Sequence, residues 1–344
     1  MKSPSGLMEQ EKTKGKVLFV AQIDEERRQS FMAQAPDDLE VVYFEGGAHM
    51  QDLTEHMRFA DYLVTKSSGR IPESWIAQTT RLKLVQTLGQ GADHLPLALL
   101  TKRGIPVANA GGSNAVAVAE HAVLLMLASM RRFLPNVALI QQGKRRDDSK
   151  IRYCHQLCGK TVGIVGFGNI GRWVCKIVYG FGANIIVSDS IEIRGSDLPG
   201  EARQVALEEL LTKADIVTLH VPLAESTRHM VDWEQLKRMK STAFLINTSR
   251  GDIVDEGALI RALRERVISG AGLDVFHQEP LNPNSPLLLM ENVVATPHIG
   301  GSVWENWIPR VHVAWNNILR VSRGEIPLNL VKQIEMTSMS PKAS

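Results

Sequence analysis

The run TVGIV at residues 161–165 passes directly into Gly166-Phe167-Gly168-Asn169-Ile170-Gly171 and then into RWVCKIVYGFG. A short β-branched run, three glycines at fixed offsets and an amphipathic continuation leave few folds open. This is the strand–turn–helix context of a dinucleotide-binding βαβ unit. In such a unit Gly166 makes the tight turn, Gly168 lets a pyrophosphate approach the backbone, and Gly171 lets helix and strand pack closely. Amides at the helix start, around Asn169 and Ile170, are then expected to meet phosphates. Asp189 closes the next strand, IIVSD, 18 positions after Gly171. A carboxylate there accepts from a ribose 2′-hydroxyl and repels a 2′-phosphate, which points to NAD rather than NADP; Arg194, close by, softens that preference. For the glycine motif alone, the plainer alternative is a tight turn that binds nothing.

The chain has 344 residues, which is long for one core and suits about two domains. Strand candidates precede the glycine motif at residues 16–22, 39–44, 61–65, 82–89 and 105–112, with helix-like stretches such as IPESWIAQTTR between them. Six more follow at 161–165, 183–189, 215–221, 242–249, 270–275 and 292–297. Alternating strands and helices predict two parallel α/β sheets. The expected architecture is a flavodoxin-like substrate domain, 15–114 with 305–332, and a doubly wound Rossmann NAD-binding domain, 115–304. Residues 1–14 and 333–344 read as loose tails. The amphipathic segment after Gly301 is expected to carry the chain back to the first domain. Asn114 is expected to cap a long helix that ends near Arg132.

Composition removes several classes. Net charge is +2 with acids and bases interleaved, so no basic stripe argues for nucleic acid. Three cysteines, Cys154, Cys158 and Cys175, make no disulfide framework and no completed metal site; a reducing, cytoplasmic setting is expected. The first 16 residues lack an apolar h-region, so no signal peptide is expected. The most apolar segment, residues 115–130, is short and carries Glu120 and His121, as a buried helix does and a membrane span does not.

Polar residues gather at the ends of the second series of strands. INTSRGDIVDEGAL supplies Arg250, GLDVFHQEPL supplies Asp274 and Glu279, and ATPHIGG supplies His298. Ligands of open α/β sheets bind at strand carboxyl ends. Taken singly, each residue has a plainer reading: Arg250 as a salt-bridge partner of Asp252 or Asp255, Glu279 as a helix end, His298 as a loop histidine. Together these motifs, with GxGxxG, Asp189 and LHVPL at 219–223, resemble the D-isomer-specific 2-hydroxyacid dehydrogenases. The resemblance runs from about Lys16 to Val331.

That resemblance implies a set of roles. Arg250 resembles the arginine that binds the substrate carboxylate and keto oxygen, His298 the acid/base, and Glu279 its partner. Asp274 resembles the aspartate on the nicotinamide side. Gln90, Val221, the turn Thr248, Ser249, Arg250, and the turn His298 to Gly301 (Gly300 included) resemble further cofactor contacts. Leu88, Gly89 and Gln90 resemble the loop whose amides hold the substrate carboxylate, with Asn109 on the neighbouring strand end. Lys66 matches a basic position near the phosphate of phosphoglycerate dehydrogenases and, with Arg70, is a candidate to receive an acidic tail. The resemblance also implies hinges near 114–118 and 302–306, and a homodimer formed through residues 115–153.

The chemistry agrees with these roles. Reducing a 2-keto acid adds a hydride to carbon and a proton to oxygen, and imidazole is suited to deliver the proton near neutral pH. A neighbouring carboxylate favours its charged, donating form. An arginine fork suits a planar carboxylate and the charge that develops on the keto oxygen. The expected function is NAD-dependent hydride transfer between nicotinamide and a small D-2-hydroxy or 2-keto acid. The alternatives are a formate- or phosphite-type dehydrogenase and an NAD(H)-sensing corepressor-like binding protein. Glu279, where formate enzymes of this fold pair the histidine with glutamine, speaks against the first. Three departures bear on the substrate: Asp93-His94-Leu95-Pro96, the run NAGGSN at 109–114, and the bulky Trp304 and Trp307 after the histidine turn. No regulatory domain is expected after Val331.

Overall fold

The computed structural model describes residues 15–45, 50–66, 71–145 and 148–331. The expected tails and Arg70 lie outside them. The chain divides into two units, one of residues 1–113 with 307–344 and the other of residues 114–306.

In the first unit, short apolar runs form five parallel strands: β1 (Gly15–Ala21), β2 (Leu39–Glu45), β3 (Tyr62–Thr65), β4 (Leu84–Thr87) and β5 (Val107–Ala108). Helices α1 (Glu25–Met32), α2 (Met50–Phe59), α3 (Glu73–Gln78) and α4 (Leu97–Lys102) connect them. The order β2-β1-β3-β4-β5 is the flavodoxin-like arrangement. The strand period of two splits β1 between two cores. Leu18 and Val20 pack with Leu63, Ile76 and Leu100 on one face. Val17 and Phe19 pack with Phe31, Trp307, Val311 and Trp315 on the other. The latter three belong to the helix after the histidine turn, numbered α11 (Trp307–Ser322) below. Fully buried Asn317 fixes that helix: its Nδ2 donates to Gln86 Oε1 of β4 (2.8 Å) and to Leu328 O (3.0 Å), and its Oδ1 accepts from Leu328 N (2.7 Å). A buried amide satisfied on both sides specifies one register where an apolar residue would slide.

The second unit begins with α5 (Ala115–Met130) and α6 (Phe133–Gln141). Then come β6 (Thr161–Val165), α7 (Asn169–Gly180), β7 (Asn184–Ser188), β8 (Arg203–Gln204), α8 (Leu207–Lys213), β9 (Ile216–Leu219) and α9 (Trp233–Arg238). The remainder is β10 (Phe244–Asn247), α10 (Glu256–Arg264), β11 (Gly270–Leu273) and β12 (Val293–Ala295). All seven strands are parallel, in the order β12-β11-β10-β9-β6-β7-β8. This is the doubly wound order with one strand added at the far edge. The sequence pattern predicts six strands; the seventh, β8, is two polar residues paired to Ile186 and Val187, too short to show a period.

Two further expectations change. Asn114 makes no side-chain cap to α5, and the helix ends at Met130, with Arg132 in the left-handed region (φ 48°) as α6 begins. The apolar helix α5 is core: Ala119, Ala122, Leu125 and Met126 are essentially inaccessible and pack with β6 and α7 residues. Among the described residues no single helix is long and apolar enough to cross a membrane.

Candidate active site

The glycine turn has a separate reason for each glycine. Gly166 has φ 92°, and a Cβ there would lie 2.7 Å from His220 O. A Cβ on Gly171 would lie 2.1 Å from Gly166 O, so only glycine lets α7 start this close to β6. Gly168 faces open space. The cradle is therefore closed by protein at two positions and open at the one where a pyrophosphate needs access, beside the amide-rich start of α7 at Asn169 and Ile170. Asp189 is held over the same turn. Its Oδ2 accepts from Phe167 N (2.6 Å) and its Oδ1 from Ile191 N (2.9 Å). Each oxygen keeps lone-pair capacity for ribose hydroxyls. Arg194 leads a short helical turn, residues 195–197.

The next strand ends continue the same edge. Val221 follows His220 after β9; its side chain is one of the atoms nearest Gly166. Burial pushes the His220 imidazole down to about 3, so the ring is neutral; its Nε2 lies 2.9 Å from Thr218 Oγ1. After β10, Ser249 Oγ donates to Leu219 O (2.5 Å), and Thr248 Oγ1 is buried without a hydrogen-bond partner. An orphaned hydroxyl on the ligand edge of a Rossmann sheet suits a cofactor contact.

Arg250 follows, in extended conformation at the head of the helical turn at residues 251–253. Asn247 Nδ2 donates to its carbonyl (2.8 Å), and Arg250 Nη1 donates to Ser249 O (2.6 Å). The acids offered as its plainer partners are engaged elsewhere. Asp252 bonds Arg228 and His277, and Asp255 caps α10 through Ala258 N. A Cβ on Gly251 would lie 2.0 Å from the Phe276 carbonyl carbon. The arginine turn thus rests directly on the backbone that leads to Glu279.

Glu279 and His298 meet. His298 Nδ1 lies 2.7 Å from Glu279 Oε2, while Glu279 Oε1 accepts from Phe276 N (3.1 Å). Both side chains are about a third exposed. His298 has φ 53°, a left-handed conformation that costs a non-glycine residue energy and recurs at functional sites. Asp274 enforces it. Its carbonyl accepts from His298 N (2.8 Å), its Oδ1 from Thr296 Oγ1 (2.6 Å) and Ile299 N (2.9 Å), and its Oδ2 from Gly300 N (2.8 Å). His121 of α5 adds Nε2 contacts of 2.9 Å to Thr296 Oγ1 and 3.4 Å to Asp274 Oδ1. Burial alone raises the Asp274 carboxyl; the bonds from His121, Thr296 and the two amides outweigh it and hold it below the usual range. Its carboxylate thus shapes the His298–Gly300 turn, which the motif alone did not disclose. Gly301 O accepts from Asn306 Nδ2 (3.3 Å). His121 was missed as a member of this network because it sits in an apolar helix 175 positions from Thr296.

The remaining residues lie in the first unit. Leu88 is buried, and its amide donates to Thr65 O (2.8 Å), so that amide is spent in the sheet. Gly89 N donates to Thr87 Oγ1 (3.2 Å). Asn109 joins the loops: its Nδ2 donates to Gln90 O (3.0 Å) and its Oδ1 accepts from Gly111 N (2.9 Å). Gln90 Oε1 accepts from Gly112 N (2.7 Å). Lys66 follows β3; burial pushes its ammonium below the usual range, and the charges of Arg27 and Arg310 push the same way. Trp307, one of the two bulky rings after the histidine turn, is a core residue of α11.

Comparison with known proteins decides the family. Residues 123–300 match the model of the D-isomer specific 2-hydroxyacid dehydrogenase, NAD binding domain. The chain belongs to the D-isomer specific 2-hydroxyacid dehydrogenases. Among curated members of that family, it is 39% identical over 291 residues to a glyoxylate reductase of Korarchaeum cryptofilum, covering 84% of this chain and 87% of that one. It is 37% identical over 286 residues to a D-3-phosphoglycerate dehydrogenase of Methanocaldococcus jannaschii, covering 83% of this chain and 54% of that one. The crystal structure of the TT0316 protein from Thermus thermophilus aligns with TM-score 0.81 at 32% identity, over 92% of this chain and 99% of that one. This family member is an NAD-dependent oxidoreductase that moves a hydride between a 2-hydroxy acid and its 2-keto acid.

Proposed function

We propose that this chain reduces a small 2-keto acid, of the glyoxylate and hydroxypyruvate class, to its D-2-hydroxy acid, with His298 as the proton donor. The observation that carries the proposal is the Glu279–His298 pair at 2.7 Å, beside an arginine turn packed on the same backbone. The names of the curated glyoxylate reductases support the substrate class.

Bound NADH supplies the hydride to the keto carbon. The protein does the rest. Glu279 holds Nδ1 and so presents Nε2 of His298 to the keto oxygen, to which the proton passes. The Arg250 guanidinium pairs with the substrate carboxylate and stabilises the negative charge that develops on that oxygen. Asp274 and His121 keep the His298 turn in its strained conformation. The turns at Gly166–Gly171, Thr248–Arg250 and His298–Gly301, with Asp189, Val221 and Gln90, are assigned to the cofactor. Gly89 and Gln90 are assigned to the substrate carboxylate, with Asn109 shaping their loop. Glu279 in place of glutamine disfavours formate oxidation. The sensor reading is tested by turnover.

A single assay tests both halves of the proposal. Glyoxylate, hydroxypyruvate and pyruvate are offered with NADH and with NADPH to the native chain and to Asp189→Ala. Turnover with NADH is expected, and Asp189→Ala is expected to shift the NADH-to-NADPH preference at least tenfold toward NADPH, about 1.4 kcal/mol. Binding of NADH without turnover of any keto acid overturns the enzyme assignment, and an unchanged ratio overturns the role of Asp189.

The assembly is proposed to be a homodimer in the cytoplasm. Leu124, Phe133, Leu134 and Ile140 each expose a third or more of their surface on α5 and α6, and exposed apolar side chains gathered on neighbouring helices favour an interface. Its three cysteines are free, as a reducing compartment keeps them. Light scattering is expected to give twice the chain mass, and Ile140→Asp to halve it; a monomer in the native chain rejects the dimer.

A further inference from the structure

Asp189 sits on the loop that leaves β7, and the short edge strand β8 holds that loop in an unusual way. The two strands pair at Ile186–Arg203 and Val187–Gln204, two residues before Asp189. Beyond that point the Gln204 side chain carries the pairing on. Its Nε2 donates to Asp189 O (3.1 Å) and to Ile191 O (3.0 Å), and its Oε1 accepts from Ile193 N (2.8 Å). A side-chain amide has the donors and the acceptor of a peptide group, and this one bonds alternate residues of the loop as a neighbouring strand would. Ile193, at the end of the held stretch, packs against the core of β6 and α7 residues. The hold reaches the carboxylate. Asp189 Oδ1 accepts from Ile191 N (2.9 Å) and Oδ2 from Phe167 N (2.6 Å). Phe167 belongs to the glycine turn, which its own sterics fix. Ile191 has Gln204 on its carbonyl instead. The loop has a further tie, Arg172 Nη1 to Asp197 Oδ2 at 3.0 Å, but it is an exposed ion pair and such pairs hold little.

We propose that Gln204 is a positioning residue for cofactor choice: its three hydrogen bonds fix the 189–193 loop and so aim the Asp189 carboxylate at the ribose 2′-position. The inference rests on the reading of Asp189 as the ribose-binding carboxylate and deepens it, because selectivity then depends on a side chain of a neighbouring strand as well as on the acid itself. A carboxylate held in one direction accepts from a 2′-hydroxyl by a charge-assisted bond. The same carboxylate meets a 2′-phosphate with like charge at close range. Specificity is the difference between these two free energies, and both depend on the aim. With the loop released, the carboxylate turns toward water, which weakens the bond to NAD and relieves the repulsion of NADP. Gln204 spends its donors and its acceptor on the loop and acts through Asp189.

The test is a double-mutant cycle read by fluorescence titration with NADH and with NADPH, on the native chain, Asp189→Ala, Gln204→Met and the double variant. Methionine keeps the length of glutamine and removes its hydrogen bonds. Gln204→Met is expected to weaken NADH and to shift the NADH-to-NADPH preference toward NADPH, by about fivefold or more. In the Asp189→Ala background the same substitution is expected to move that preference by less than about twofold, since no carboxylate remains to be aimed. In turnover of glyoxylate or hydroxypyruvate the loss is expected in KM for NADH rather than in kcat. If Gln204→Met does not fold, by its melting curve, Gln204→Ala takes its place in the cycle. A preference that Asp189→Ala shifts and the Gln204 variant does not, or a shift by the Gln204 variant that is equal with and without Asp189, overturns the inference and leaves Asp189 its role. A preference unchanged by Asp189→Ala overturns the reading of Asp189 itself, and the inference with it.

Discussion

His298→Ala is expected to lower kcat about 10³-fold while the NADH dissociation constant changes less than about twofold. The magnitude is that of a positioned proton donor, roughly 10²–10⁴. The ring does two things that alanine cannot: it accepts orientation from Glu279 at Nδ1, and it carries the proton on Nε2. Most of the contacts assigned to the cofactor, at the Gly166–Gly171 and Thr248–Arg250 turns and at Asp189, stay in place when residue 298 becomes alanine. His298→Asn is the control for the backbone, because asparagine tolerates the left-handed conformation this position requires, and its turnover is expected to be as low as that of His298→Ala. Steady-state kinetics and an NADH fluorescence titration provide the two readouts. If turnover and cofactor affinity fall by the same factor, His298 only supports the turn.

Arg250→Lys is the second large effect. The positive charge survives, but the flat fork does not, and at a bidentate site that exchange is not conservative. A single lost donor at a developing oxyanion costs about 10²–10³ in rate, and the same fork is assigned to the carboxylate. We therefore expect kcat/KM to fall by about 10³, with KM for the keto acid raised and kcat lowered together. The melting temperature is expected to stay close to native, since the backbone carbonyl of residue 250 still accepts from Asn247 and Gly251 still packs on Phe276. A variant that loses melting temperature and retains kcat/KM would make Arg250 a structural residue.

Much of the fold and of the site was legible before any coordinates. The glycine spacing announced a dinucleotide turn because each glycine answers a local steric demand, and the structure shows those demands at Gly166 and Gly171. The strand ends carrying Arg250, Glu279 and His298 were readable because parallel strands share one direction, so residues just past them share one edge. Other features left no local trace. β8 has two residues and no period. The amide of Leu88 reads as a ligand contact from its loop and proves to be a ladder bond to Thr65. The hold of Asp274 on the histidine turn through both carboxylate oxygens has no signature in its motif.

By itself, then, the sequence determined the two parallel sheets and the glycine turn and named the side chains proposed to react, because period, turn chemistry and residue type act over a few neighbours. Tertiary structure alone decided that Asn317 locks α11 to Gln86 across 231 positions, and that His121 braces the turn of His298. Such meetings depend on how helices dock on a sheet, and packing joins residues whose separation along the chain carries no pattern.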